Sequence, residues 1–463
     1  MSTSQRLRLD RRSFLYGASI AGFGVFCQGR NGRAAGLAAN DVIQVACIGV
    51  GGKGSSDTDH AGNHGRIAAL CDVDDAPLKA KLEKYKEAKG FHDFRELFDR
   101  MGDKIDAVVV STADHAHAPA SLAAMRLGKH VYCQKPLTHT VREARLMREA
   151  ARKYGVCTQM GNQGSASPDL RTDVEILQSG VLGDVAEVHV WTDRPARYWK
   201  QAPTITARPE GTFEVPANLH WDLFLASAPE RPYAPVYTPM LWRGWWDFGT
   251  GVMGDMACHN TNVAFRAFKL GLPSRVTAQS GEINTETFPA WATVVYEFPA
   301  RGNLPPLKLT WYEGSRDGAP NRPPAHLIPE GAKIGDNGWL VIGAEGAMLS
   351  NSDSGRGRLW PEARFKDFRD PERTLPRIQG KGGGYDDDHK LEWFQAIRAG
   401  KPEIAFSNFD FAAVQTEAVL LGNIAMRTGE VVEYDGEAGR ITNSSTAAGF
   451  LDKTYRKGWE IEG

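Results

Sequence analysis

No run of apolar residues in this chain reaches the roughly 20 that a membrane-spanning helix needs. Charge of one sign is also missing: 55 Lys and Arg stand against 56 Asp and Glu, a formal net charge of −1. That balance gives no electrostatic case for nucleic acid or an anionic membrane as partner. Cysteine is scarce. Of six, Cys27 falls near the N-terminus, and Cys47, Cys71, Cys133, Cys157 and Cys258 form an odd set with no Cys-x-x-Cys pair. They read as small apolar core residues rather than a disulfide framework or a zinc site, so no metal is expected. No internal repeat is found. What remains is a globular composition, 42% apolar and 24% charged, on 463 residues that suffice for two domains.

The most informative stretch runs from Val42 to Gly54, where an apolar run ends in Gly-x-Gly-x-x-Gly at Gly49, Gly51 and Gly54. The first glycine suits a tight turn, the second lets backbone approach a pyrophosphate, and the third lets the next helix pack close. That helix would offer free N–H groups to phosphates. A second strand pattern, Arg66–Cys71, ends at Asp72, 18 residues after Gly54. A dinucleotide fold places its ribose-binding carboxylate about there. A carboxylate at this point also favours NAD over NADP, because it would repel a 2′-phosphate.

Strand and helix patterns alternate from residue 42 to about 163. Strands are expected at Ile43–Ile48, Ile67–Leu70, Ala107–Val110, Val131–Cys133 and Val156–Met160, with helices at Pro77–Ala88, Ala118–Leu127 and Val141–Lys153. This predicts a doubly wound parallel sheet, an α/β fold of Rossmann type, with ligands beyond the strand ends. Polar residues follow three strands: Ser111, Thr112, His115 and His117; then Gln134 and Lys135; then Asn162. With Gly49, Val50, Gly51, Gly52, Lys53, Gly54 and Asp72 they make the expected cofactor contacts.

Beyond Ser165 an α+β domain with a largely antiparallel open sheet is expected. Its helices read as Pro168–Ser179, Tyr385–Ala399 and Ala412–Arg427, and its strands as Asp184–Thr192, Val276–Ile283, Thr293–Phe298 and Leu307–Tyr312. The region 194–249 is rich in aromatics: Tyr198, Trp199, Trp221, Trp242, Trp245 and Trp246. These suit a sugar pocket, with Trp245 as a stacking face, or equally the packing beneath irregular loops. The expected division is 1–39 leader, 40–165 nucleotide-binding domain, and 166–463 substrate and oligomerisation domain.

The leader reading rests on Arg11-Arg12 before Ser13-Phe14-Leu15, a short apolar stretch to Cys27, and small residues around Ala34–Ala39. It is similar to a twin-arginine signal, which exports folded proteins, so a periplasmic or secreted location is expected.

Asp255 and His259 stand four apart in a helical pattern, on one face. Asp255 could orient His259, and His259 could move protons. The alternative is a helix-start aspartate capping its own turn and a histidine satisfied in the core.

The glycine loop, Lys135-Pro136 after a strand, and Asp255-x-x-x-His259 together resemble the Gfo/Idh/MocA oxidoreductases over essentially residues 42–460. The resemblance implies a Rossmann domain binding NAD(H) or NADP(H), a second domain holding substrate, and homo-oligomers through its sheet. It implies Lys135, Asp255 and His259 as catalytic residues. Substrate contacts are expected at Lys135, Asn162, Trp245, Asp255, His259 and Asn262. Gln134 stands where the family carries a glutamate, and Asn262 where many members carry an acid. The expected activity is hydride transfer between a small carbohydrate and the nicotinamide. A redox-neutral glycosidase with tightly held NAD is the alternative, and a non-catalytic dinucleotide sensor the third reading.

Overall fold

The computed structural model describes residues 42–194, 205–378, 380 and 384–461. The leader reading, Tyr198 and Trp199 lie outside these residues. The first sheet has six parallel strands: β1 (Gln44–Ile48), β2 (Arg66–Cys71), β3 (Lys89–Phe91), β4 (Ala107–Val110), β5 (His130–Gln134) and β6 (Thr158–Gly161). Their order is β3-β2-β1-β4-β5-β6. The chain reverses direction across the sheet between β1 and β4, which opens a crevice at their carboxyl ends.

Helices α1 (Lys53–Gly62), α2 (Asp75–Lys84), α3 (Phe94–Met101), α4 (His117–Arg126) and α5 (Val141–Tyr154) connect these strands. Side-chain alternation sorts the sheet into two cores. Val45, Cys47, Val109 and Tyr132 enter one; Ala46, Ile48, Val108, Val110 and Cys133 enter the other. All five described cysteines are buried free thiols. Local chemistry sets the helix ends. Asp74 caps α2 by accepting from the Ala76 N–H, so this helix starts ahead of Pro77, where the pattern put it. Thr140 and Glu143 close a capping box on α5, and Gly155 ends it in the left-handed region at φ 63°. Both β3 and α3 escaped the sequence reading; α3 shows its Asp93 cap and its Phe94, Leu97, Phe98 stripe only in retrospect.

After α6 (Pro168–Gln178), a second sheet of ten strands follows: β7 (Val185–Thr192), β8 (Arg275–Ser280), β9 (Trp291–Phe298), β10 (Leu307–Arg316), β11 (Ala319–Pro320), β12 (Asn337–Gly343), β13 (Gly346–Ser350), β14 (Arg358–Trp360), β15 (Val432–Asp435) and β16 (Arg440–Ile441). It is mixed rather than wholly antiparallel, because β7 and β10 run parallel at its centre. The strands β12–β14 were not expected. Helices α7 (Gly251–Asn260), α8 (Asn262–Ala267) and α10 (Phe409–Thr428) pack on one face, where Met253, Ala257, Phe265 and Leu421 meet Val190, Val294, Leu309 and Trp311.

A further long helix, α9 (Gly384–Ala399), crosses back to the first sheet. Its Trp393, Phe394 and Ile397 share a core with Ile43, Val45, Leu70 and Val109. No described helix is long and apolar enough to cross a membrane.

Candidate active site

A cleft of about 580 Å³ lies at the carboxyl ends of β1, β4 and β5. The glycine loop forms one wall. Gly49 sits at φ +77°, and a Cβ there would stand 2.6 Å from the Ser111 carbonyl oxygen, so only glycine fits. Gly54 packs its backbone on Gly49, where a side chain would collide with the Gly49 carbonyl. Gly51, Gly52 and Lys53 line the cleft, whereas the Val50 side chain is buried behind it. No side chain caps the N-terminus of α1, which begins at this wall. An uncapped helix start and close-packed glycines fit a dinucleotide's pyrophosphate. Asp72 also lines the cleft. Its Oδ2 accepts from the N–H groups of Val50 (2.7 Å) and Gly51 (3.2 Å), and its Oδ1 from Asp74 (3.0 Å). A carboxylate offers about four acceptor positions, so room for ribose hydroxyls remains. His92, Phe94 and Trp459 border the same end of the cleft. Nearby, Asp75 Oδ1 lies 3.3 Å from Nε2 of both His92 and His220, a spacing that suits an ion pair or a metal ion.

Ser111, Thr112, Gln134 and Lys135 reach the cleft as expected. His115 lines the cleft too, whereas His117 is not among its lining residues. The His115 ring nitrogens face the carbonyls of Phe248 and Phe224, and those of His117 face Pro136 and Thr112. Both rings are buried, which pulls each down to about 4, so they are neutral. Asn162 is buried, donates to the Cys258 carbonyl at 3.3 Å, and leaves its Oδ1 unpaired.

Gln134 has a physical explanation. Its amide donates at 2.7 Å to Asp57, a fully buried carboxylate that also accepts from Ser111 at 2.9 Å and Lys390 at 2.9 Å. A glutamate here would set two carboxylates in contact. Asp57 and Lys390 were not flagged by the sequence, because nothing local marks either as buried.

Lys135, Asp255 and His259 come together where the two sheets meet. Lys135 Nζ donates to Asp255 Oδ1 at 2.6 Å and to its carbonyl at 3.0 Å. Arg194 reaches Asp255 Oδ2 at 3.0 Å, and Arg243 reaches Oδ1 at 3.3 Å. Burial alone would raise the Asp255 carboxyl, but Lys135, Arg243 and Arg194 outweigh it and hold the group well below the usual range. His259 has no hydrogen bond to Asp255 among the described residues. Both stand on α7, but Asp255 turns to the three cations, and His259 Nδ1 lies 3.8 Å from Asp353 Oδ2. Burial and then the Lys135 charge pull His259 down to about 3, so its imidazole is neutral.

Two other expectations fail. Trp245 is fully buried, gives its indole N–H to the Val236 carbonyl, and stands edge-on to Tyr237 at 4.7 Å. It packs the loops; Trp242 is the neighbour that lines the cleft. Asn262 is 1% exposed, donates to Ser165 and accepts from Arg266 at 2.8 Å each, and is not among the residues lining the cleft.

Asp114, also on the cleft wall, accepts from the Thr250 N–H (3.0 Å) and hydroxyl (2.6 Å). Burial pushes it up to about 7. A raised carboxyl binds a proton more readily folded than unfolded. Its stabilisation is therefore full below about pH 4 and lost as pH rises through about 7. Asp114→Asn should flatten that loss, so that it gains on the wild type in thermal unfolding midpoint between pH 6 and pH 9. Parallel midpoint-against-pH curves would refute the assignment.

Comparison with known proteins agrees with this architecture. The NAD-binding Rossmann model of the Gfo/Idh/MocA oxidoreductase family matches residues 43–162, and the family's C-terminal alpha/beta model matches 169–302. An inositol 2-dehydrogenase of Salmonella typhimurium is 31% identical over 126 residues, 27% of this chain and 37% of that protein. A glycosyl hydrolase family 109 protein of Solibacter usitatus is 33% identical over 195 residues, 38% of this chain and 44% of the relative. These matches thus span less than half the length of either relative. Among solved structures, an oxidoreductase domain protein from Kribbella flavida superposes with TM-score 0.56 at 18% identity, covering 85% of this chain and 99% of that one. A WlbA dehydrogenase from Bordetella pertussis, solved with NADH and UDP-GlcNAcA, gives 0.56 at 14% identity, with 85% and 99% covered. At those identities the likeness establishes the fold. The two family models, over residues 43–162 and 169–302, together match more than half of the chain, from β1 to β9, and the chain belongs to the Gfo/Idh/MocA family of NAD-binding oxidoreductases.

Proposed function

We propose that the protein transfers hydride between a sugar carbon and NAD, with His259 as proton acceptor and donor. The observation that carries this reading is the 2.6 Å link between Lys135, at the end of a strand in the first sheet, and Asp255, on a helix of the second. When bound, the nicotinamide supplies the hydride acceptor. The chain supplies the rest. Lys135 hydrogen-bonds the substrate oxygen and offsets the negative charge that develops on it. Asp255 fixes the ammonium position of Lys135. His259, neutral and without a strong partner, takes the hydroxyl proton, and the Asp255 charge favours the imidazolium that results. Asp72 on the cleft wall supports NAD over NADP. Pairing of two copies through the second sheet is part of the reading, supported by the half-buried Thr277, Thr293 and Val295 on its strands.

A second reading is supported by the glycosyl hydrolase family 109 relative. In it, NAD stays bound, a sugar carbon is oxidised, the aglycone is eliminated, water adds, and the carbon is reduced again. The twin-arginine-like leader suits this cycle, because free NAD is scarce outside the cytoplasm. One experiment separates the readings: purified protein is mixed with aryl glycosides and no added cofactor. Stoichiometric NADH formation supports the dehydrogenase. Steady aglycone release without net NADH supports the glycosidase. Neither signal, across glycosides and free sugars with added NAD, would overturn both and leave the sensor reading.

A further inference from the structure

A second cavity, of about 360 Å³, lies across the Gly249–Thr250 turn from the cleft, between α10 and residues 449–454. None of the chemistry above uses it. Four charged side chains border it, and three are paired: Asp247 with Arg231, Asp452 with Arg142, and Lys453 with Glu143. The fourth, Arg427, makes no hydrogen bond or ion pair among the described residues. Its guanidinium lies instead against two aromatic faces, 4.8 Å from the Trp246 ring centre and 4.4 Å from that of Phe450. A guanidinium held on aromatic rings keeps its charge and its N–H donors available.

A second group points the same way. Asn423, 8% exposed, borders the cavity and donates from Nδ2 to the Thr250 carbonyl at 2.9 Å. That bond fixes which end of the amide is which. Its Oδ1 is then a buried acceptor without a partner. Leaving such an atom unsatisfied is unfavourable, and a ligand hydroxyl would relieve it. Trp246 and Phe288, ring centres 3.6 Å apart with their planes tilted by 35°, give the cavity an apolar wall.

We propose that this cavity binds a small hydroxylated anion, a sugar-sized carboxylate or phosphate, with its anionic oxygens on Arg427 and a hydroxyl on Asn423 Oδ1. The occupant acts on the first cleft through Thr250. This residue gives its carbonyl to Asn423 and its N–H and hydroxyl to Asp114, which lines that cleft. His139 is a parallel link, since its Nε2 meets the Gly249 carbonyl at 3.1 Å while its Nδ1 meets Lys453.

The test is calorimetric titration of the full chain with D-gluconate, glucose 6-phosphate and, as neutral control, D-glucose. One of the two anions is expected to bind once per chain, at least tenfold tighter than glucose. Arg427→Gln should weaken that binding at least tenfold, and Arg427→Lys, which keeps the charge, should restore most of it. If Arg427→Gln unfolds, Arg427→Met, whose stem still covers the rings, takes its place. Lys135→Met, in the first cleft, should leave the binding within twofold. The proposal is overturned if neither anion binds saturably, if glucose binds equally well, if loss of the Arg427 charge changes nothing, or if Lys135→Met abolishes binding. The readout is affinity, so failure of the redox chemistry would leave this result untouched.

Discussion

Lys390→Met is expected to lower the unfolding free energy by about 3–5 kcal/mol, the range for breaking a buried ion pair from one side. Lys390 is 0% exposed and its partner Asp57 is 1% exposed, with Nζ to Oδ1 at 2.9 Å. Burial pulls the ammonium down to about 8, so both partners are charged at pH 7. Removing the lysine leaves Asp57 with the Ser111 and Gln134 donors and with Lys53 at 3.7 Å, a long and half-exposed contact. The ammonium also sits 3.0 Å above the Tyr132 ring, so packing is lost with the charge. The double variant Asp57→Asn, Lys390→Met, which removes both charges, should recover a large part of the loss. Urea unfolding read by tryptophan fluorescence measures both. A single-variant loss below about 1 kcal/mol would show that the pair is not carrying the fold.

The second large effect is catalytic. His259→Ala should lower turnover by about 10²–10⁴-fold, the usual contribution of a positioned general base, with little change in NAD affinity. The pH profile distinguishes this from a structural role. A base works in its neutral form, and burial with the Lys135 charge keeps His259 neutral down to about 3. The acid limb of kcat/KM should therefore lie well below the 6.5 of an ordinary imidazole. A fall centred near 6.5, or full turnover in the alanine variant, would remove His259 from the mechanism.

What the sequence revealed was local. The glycine loop, the buried runs of β1 and β4, and Asp72 at a strand end are all written within a few dozen residues. Each could be read because spacing alone implies the geometry. The rest depends on residues that meet only in space. Arg194, just past the end of β7, and Arg243, in a four-residue 3₁₀ helix, converge on Asp255, and no period marks them. The i,i+4 rule correctly put Asp255 and His259 on one helical face. It could not say that three cations would claim the carboxylate. Trp245 and Asn262 were misjudged for a similar reason: residue type suggested a ligand, while burial and partners made them structural. The strands β12–β14 follow a glycine- and proline-rich stretch that resembles surface loop throughout, and the pairing of β12 with β7 spans about 150 residues of chain.

The crossing of α9 onto the first sheet has a consequence for how the protein is made. A ribosome releases the six strands of that sheet early, yet Val45 and Val109 lack part of their core until Trp393, Phe394 and Ile397 emerge. Trp459, on the cleft wall, comes later still. The nascent nucleotide-binding half is thus left open to chaperones for most of synthesis, and a chain cut short before α9 would expose a sticky, half-covered sheet.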